Sequence, residues 1–107
     1  MVYAASEDQK LYALDAASGK PVWSTSFTGP IRSSPVVFEG YLFAGGDDGC
    51  FRALNPFNGQ EMWRFEAGSP IRSTPSAGNG RIFFGTEDGS FYCLDLRGQT
   101  NWRFSAK

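Results

Sequence analysis

The sequence repeats itself at a period of about forty residues. Residues 15–23 (DAASGKPVW) return as residues 55–63 (NPFNGQEMW), and again, one residue shorter, as residues 95–102 (DLRGQTNW). A second stretch, GPIRSSP at 29–35, matches GSPIRSTP at 68–75. Tandem copies at such a period indicate one supersecondary unit that stacks on its neighbours, so each copy is expected to fold into the same small structure.

Within each repeat the pattern predicts short strands separated by turns. In the second repeat, apolar segments at 41–46 and 50–55 flank the tight-turn sequence Asp-Asp-Gly at 47–49. A third strand is predicted at 61–67, after an Asn-Gly turn, and a fourth at about 73–77. Four short antiparallel strands in each repeat are typical of a β-propeller blade.

We therefore predict an all-β fold in which residues 1–107 form one partial β-propeller. The repeats are expected at about 2–32, 33–72 and 73–107, the first of them lacking its innermost strand. This gives about 2.75 blades, whereas a closed propeller needs at least about four. Further blades of a longer protein, or copies of this chain in a homo-oligomer, are expected to complete it.

Composition excludes several classes of function. The net charge is −1 and charged residues of mixed sign make up 20% of the chain, so no basic surface for nucleic acid is predicted. No apolar run is long enough to predict a membrane span. The absence of histidine removes the commonest general base and transition-metal ligand. Cys50 and Cys93 form no metal-binding motif, and we expect two free thiols.

Residues 13–23 (ALDAASGKPVW) resemble the tryptophan-docking motif of pyrroloquinoline-quinone-type propellers: Ala, any residue, Asp, any three, Gly, Lys, Glu, any residue, Trp. The first repeat departs from this motif only at Pro21. The second has Asn in place of Asp and Gln in place of Lys. The third is the weakest, with Cys93 in place of Ala and a turn one residue shorter.

The resemblance implies that each Trp packs on the neighbouring blade, between a small residue of its own motif and a glycine-containing peptide of the next. Independently, a buried indole supplies a large apolar surface and needs an acceptor for its N–H. Acidic or amide side chains can cap the turns, and the glycines suit a positive φ. The predicted docking residues are Ala13, Asp15, Gly19, Trp23, Ala53, Asn55, Gly59, Trp63, Asp95, Gly98 and Trp102.

Few other residues are candidates for chemistry. The acidic pairs at 47–48 and 87–88 could form a calcium or acid–base site, but we favour solvated hairpin turns, because calcium requires at least about six oxygens. Arg32 and Arg72 occupy the same place in two repeats and are candidate contacts for an anion or a partner in the propeller's funnel. We favour interblade salt bridges, because repetition indicates a scaffold role. We predict no catalytic residue, metal site or cofactor.

The function predicted is that of a non-enzymatic interaction scaffold that binds protein or carbohydrate. The alternative is a fragment of a quinone-dependent dehydrogenase whose catalytic residues lie outside this chain. The resemblance implies that such enzymes carry calcium-binding carboxylates, a catalytic Asp, a Trp stacked under the quinone and, in many members, adjacent cysteines; none of these can be placed here. A ligand-sensing domain of a signalling protein is a third alternative. The resemblance also favours the cell envelope or secretion.

Overall fold

The computed structural model describes residues 1–106. These residues contain eleven β-strands and no helix. All neighbouring strands are antiparallel, and they form three separate sheets. The prediction of an all-β fold built from four-stranded antiparallel units, the first of them lacking one strand, is confirmed. No helix in this part of the chain is long and apolar enough to cross a membrane.

The three sheets follow one another along the chain and are called blades 1, 2 and 3. Blade 1 contains β1 (Val2–Ala5), β2 (Lys10–Leu14) and β3 (Pro21–Ser26). Blade 2 contains β4 (Val36–Phe38), β5 (Tyr41–Gly45), β6 (Cys50–Leu54) and β7 (Glu61–Glu66). Blade 3 contains β8 (Ser76–Gly78), β9 (Arg81–Gly85), β10 (Ser90–Asp95) and β11 (Thr100–Ser105). Each blade is a simple meander, so strands that adjoin in sequence also pair.

Every blade contains the same irregularity between its last two strands. The strand register shifts after Ala13 in blade 1, after Ala53 in blade 2 and after Cys93 in blade 3. In each case the small residue before the shift pairs with the Trp of the outer strand. A shift at a fixed place re-aims the side chains beside it, so the three Trp residues are presented in the same way.

The core lies between the blades, in two clusters that both involve β6. Alternate side chains of a strand point to opposite faces of its sheet. Phe51 and Ala53 accordingly join a cluster with residues of blade 3, whereas Leu54 joins a cluster with residues of blade 1. Because blade 2 is covered on both faces, its two central strands are almost wholly buried, and apart from Arg52 they carry no charged side chain.

Candidate functional site

Trp23 joins blade 1 to blade 2. Its indole N–H donates to the carbonyl oxygen of Pro56 at 3.1 Å. Its ring lies against Gly59, where an added Cβ would stand only 2.4 Å from a ring carbon. Gly59 also has a φ of +78°, so both the backbone and the tryptophan require glycine at this position. Thr25 adds a third contact, because its hydroxyl donates to the Gly59 carbonyl at 2.7 Å.

Trp63 joins blade 2 to blade 3 in the same way. Its indole N–H donates to the carbonyl oxygen of Leu96 at 3.0 Å, and an added Cβ at Gly98 would lie 2.7 Å from its ring. On its own blade, the ring lies beside Phe43 and Phe51, with centroid distances of 6.0 and 6.3 Å. The structure therefore shows one docking contact at each of the two interblade boundaries.

The equivalent turn in each blade, which in blades 2 and 3 receives a tryptophan, is held by a side chain that accepts backbone hydrogen bonds. Asp15, Asn55 and Asp95 each accept the N–H of the residue two positions later, at 2.8 Å in all three cases. Hydrogen bonds from the backbone N–H groups of Ala17 and Ser18 lower the pKa of Asp15. In blades 2 and 3, this cap leaves the carbonyl of the following residue free to accept the indole N–H.

Trp102 differs from the other two tryptophans because no blade follows it within residues 1–106. It pairs with Cys93 and contacts Phe83 at a centroid distance of 6.1 Å, but 48% of it is exposed.

Both Cys93 and Cys50 are free thiols, and burial raises the pKa of each. Neither thiol has the lowered pKa that marks a reactive cysteine.

Arg32 and Arg72 lie in a row of alternating charges that crosses all three blades. Arg72 reaches Asp47 at 3.0 Å and Glu87 at 3.0 Å, and Arg32 reaches Asp47 at 3.3 Å and Glu7 at 4.0 Å. The hydrogen bond from Arg72 is the main cause that lowers the pKa of Asp47. Both arginine side chains are about 40% exposed, so solvent screens these pairs and each contributes little to stability.

Arg52 forms a buried charged network that the sequence analysis missed. Its guanidinium is only 2% exposed, donates to Asp48 at 2.7 Å and to Glu61 at 3.1 Å, and lies 4.1 Å from the centre of the Phe27 ring. Asp48 also accepts the hydroxyl of Thr28 at 2.7 Å. The network thereby fastens the segment between blades 1 and 2 onto blade 2.

A signal for this network was present in the repeat. Blades 1 and 3 carry Tyr12 and Tyr92 at the position of Arg52, so the arginine is the exception in an otherwise apolar strand. A charged residue that is almost fully buried needs a paired partner, and Asp48 lies four residues away in the preceding turn. The departure from symmetry could have identified this position, but not the blade that the arginine faces.

Asp48 is held ionised by its surroundings. Burial by itself raises its pKa, but hydrogen bonds from Arg52, Thr28 and the Cys50 N–H together lower the pKa to about 2. Hence Asp48 cannot serve as a general acid or base near neutral pH. Asp47 and Glu87 are engaged by arginines as well, and no group of three potential metal ligands occurs in the described part of the chain.

Asp48 should make the chain sensitive to acid. Its pKa is lower in the folded state than in the unfolded state, so it stabilises the fold above about pH 4, and this stabilisation is lost as the pH falls towards 2. Between about pH 6 and pH 2, the natural chain should therefore lose about 1–2 kcal/mol more stability than Asp48→Asn. Urea unfolding at a series of pH values measures the difference. An equal loss of stability with falling pH in the natural chain and in Asp48→Asn would contradict the prediction.

Comparison with known proteins identifies the family of this chain. Residues 7–107 match the family described as outer membrane protein assembly factor BamB. The chain belongs to this family. Three of the solved structures that the chain resembles carry the same kind of blades, which confirms that its three sheets are blades of a PQQ-like β-propeller. No curated protein matches the chain.

The solved structures are similar in fold and distant in sequence. BamB from Moraxella catarrhalis superposes with a TM-score of 0.84 at 20% identity, over 97% of this chain and 32% of that one. The quinohemoprotein alcohol dehydrogenase ADHIIG from Pseudomonas putida HK5 gives 0.85 at 23% identity, over 95% and 18%. The quinohemoprotein alcohol dehydrogenase from Comamonas testosteroni gives 0.84 at 20%, over 95% and 19%. This member of the BamB family thus spans a third or less of each relative.

Proposed function

We propose that this chain supplies blades to a non-enzymatic BamB-type propeller, which binds protein partners in outer membrane protein assembly in the cell envelope. The observation that carries the proposal is that its aromatic and charged side chains are engaged in contacts within and between the blades. Trp23 and Trp63 join blades, and the arginines neutralise the acidic hairpins that could otherwise hold a metal ion. The family match over residues 7–107 supports the same conclusion.

The described residues do not fit a quinone with its calcium ion. Gly59 packs against the ring of Trp23 and Gly98 against the ring of Trp63, so closely that an added Cβ would lie 2.4 and 2.7 Å from the rings. Because both rings are occupied in this way, neither can also stack under a quinone. Beside Trp102 lies a concavity of about 240 Å³, which is lined by hydroxyl groups and aromatic rings without a carboxylate. Calcium takes six to eight oxygen ligands, usually with carboxylates among them.

A chimeric protein tests the assembly function. The segment of Moraxella catarrhalis BamB that superposes on this chain is replaced by residues 1–107, and the chimera is expressed in cells that lack BamB. We expect the level of correctly assembled outer membrane proteins to rise towards that of cells with intact BamB. The matched control carries the corresponding segment of the Comamonas testosteroni dehydrogenase, which has the same fold.

The control distinguishes a role that depends on this sequence from one that any segment with the same fold could fill. If both chimeras fold and restore assembly equally, or if neither does, the proposal for this chain is wrong.

A second readout addresses catalysis directly. The purified chain is mixed with pyrroloquinoline quinone and calcium, and dye-linked alcohol oxidation is followed. We expect no turnover, and clear turnover would favour the dehydrogenase alternative.

A further inference from the structure

The sequence contains four asparagines, and glycine follows two of them, Asn58 and Asn79. In an Asn-Gly pair the backbone nitrogen of the glycine can attack the side-chain carbonyl carbon of the asparagine, because no side chain on the glycine hinders the approach. Asparagine is among the thermolabile residues. The other two asparagines precede proline and tryptophan. The chain therefore has two candidate sites for the same reaction, and they lie in different surroundings.

The structure holds Asn58 in an unreactive turn. The N–H of Gly59 donates to the carbonyl of Asn55 at 2.8 Å, and the side-chain oxygen of Asn58 accepts the N–H of Gln60 at 2.9 Å. Gly59 is buried, with the ring of Trp23 against it. The two reacting groups cannot rearrange without breaking the contact that joins blades 1 and 2.

Asn79 lies in a turn that nothing holds. Asn79 and Gly80 alone connect β8 to β9, whose last pair is Gly78 with Arg81. Both turn residues are exposed, and an added Cβ at Gly80 would meet nothing within 4 Å. Within residues 1–106, neither the Asn79 side chain nor the Gly80 N–H takes part in a hydrogen bond. Both reacting groups are therefore open to water and free to approach each other.

The exposure of this turn does not arise from the end of the chain. The same turn in blade 2 consists of Glu39 and Gly40, with φ values of +52° and +81° that match the +53° and +70° of Asn79 and Gly80. Glu39 and Gly40 are also exposed, although blade 2 has a blade on each side. The turn between the two inner strands thus stays open in a blade that is fully flanked.

We propose that Asn79 is a site of spontaneous deamidation and isomerisation. The Gly80 nitrogen bonds to the side-chain carbonyl carbon of Asn79, the carbon–nitrogen bond of the side-chain amide breaks, and ammonia leaves with the proton of the Gly80 N–H. Water then opens the cyclic imide at either carbonyl and gives aspartate or isoaspartate. The reaction consumes water, releases ammonia and needs no oxidant or reductant. This inference does not depend on the function proposed above.

The two products differ in their effect on blade 3. Aspartate places a carboxylate where blade 2 already carries Glu39, so the turn should accept it. Isoaspartate adds a methylene group to the backbone between strands that pair up to the last residue before the turn. The added length is incompatible with that register, and β8 has only three residues, Ser76–Gly78, to hold it. Isomerisation should therefore loosen the innermost strand of blade 3.

Peptide mapping of the folded 107-residue chain tests the proposal. The chain is incubated in mildly alkaline buffer at physiological temperature and digested with trypsin, which places Asn58 in the peptide 53–64 and Asn79 in the peptide 73–81. Mass spectrometry follows the conversion of amide to acid, and labelling by an isoaspartyl methyltransferase identifies isoaspartate. Asn79 should react about tenfold or more faster than Asn58, because reaction at Asn58 first requires a costly local opening.

The free peptides 53–64 and 73–81 are the control for sequence. Without the fold, their Asn-Gly pairs should react at similar rates. Trp23→Phe, which removes the indole N–H from Pro56, should speed the reaction at Asn58 and leave that at Asn79 unchanged. Thr25→Val, which removes the hydrogen bond to the Gly59 carbonyl, is the milder variant if Trp23→Phe does not fold. The proposal is overturned if Asn79 reacts no faster than Asn58 in the folded chain, or if the free peptides differ by the same ratio.

Discussion

Replacing Trp63 with alanine should lower the free energy of unfolding by about 3–5 kcal/mol, the usual cost of deleting a large core side chain. The substitution removes the indole from the boundary between blades 2 and 3 and leaves a space above Gly98. It also leaves the Leu96 carbonyl without the N–H that it accepts at 3.0 Å. The contacts with Phe43 and Phe51 are lost at the same time. Urea unfolding at low protein concentration measures the loss.

Trp102→Ala is the matched control for Trp63. It deletes the same side chain from the same place in the repeat, but 48% of that side chain is already exposed. Its cost should therefore be clearly smaller. Trp63→Phe retains one aromatic ring but removes the N–H donor and part of the ring volume, so it should cost less than Trp63→Ala and at least about 1 kcal/mol for the lost hydrogen bond. Equal losses for Trp63→Ala and Trp102→Ala would contradict the docking geometry.

Replacing Asp48 with alanine should cost about 3 kcal/mol, the second largest effect expected in this chain. The substitution leaves the Arg52 guanidinium buried at 2% exposure, with only Glu61 to balance its charge. It also frees the segment at Thr28, whose hydroxyl donates to Asp48 at 2.7 Å. Removing one partner of a buried ion pair is costly because the remaining charge stays out of water. Chemical unfolding at neutral pH provides the measurement.

The repeat supplies a control for this prediction as well. Asp8 stands in the same position in blade 1 and accepts a hydrogen bond from Tyr12, but it is exposed. Asp8→Ala should therefore change stability much less than Asp48→Ala does. The double change Asp48→Ala with Arg52→Met should recover part of the loss, because it removes both buried charges together. Similar losses for Asp48→Ala and Asp8→Ala would show that the buried network contributes little.

The sequence by itself determined the class of fold. A unit of about forty residues that contains four short strands and tight turns cannot bury its apolar faces alone, and stacked antiparallel blades are the arrangement that satisfies it. The repeat also predicted that the first blade lacks its innermost strand, and the structure shows only β1, β2 and β3 in the sheet of blade 1. The docking motif identified Trp23, Trp63 and Trp102 as related residues, but their contribution to stability remains a prediction that the Trp63 variant tests.

Only the tertiary structure decided which groups meet across the blades. Alternation along β6 shows that Phe51 and Arg52 point to opposite faces, but not which neighbour each face meets. The structure places Phe51 on Phe84 of blade 3, and Arg52 against Phe27 and Asp48. Such contacts join residues far apart in sequence, and their geometry depends on how the sheets stack and twist. The same reason explains why three equivalent tryptophans differ, two lying on glycine turns and Trp102 remaining half exposed.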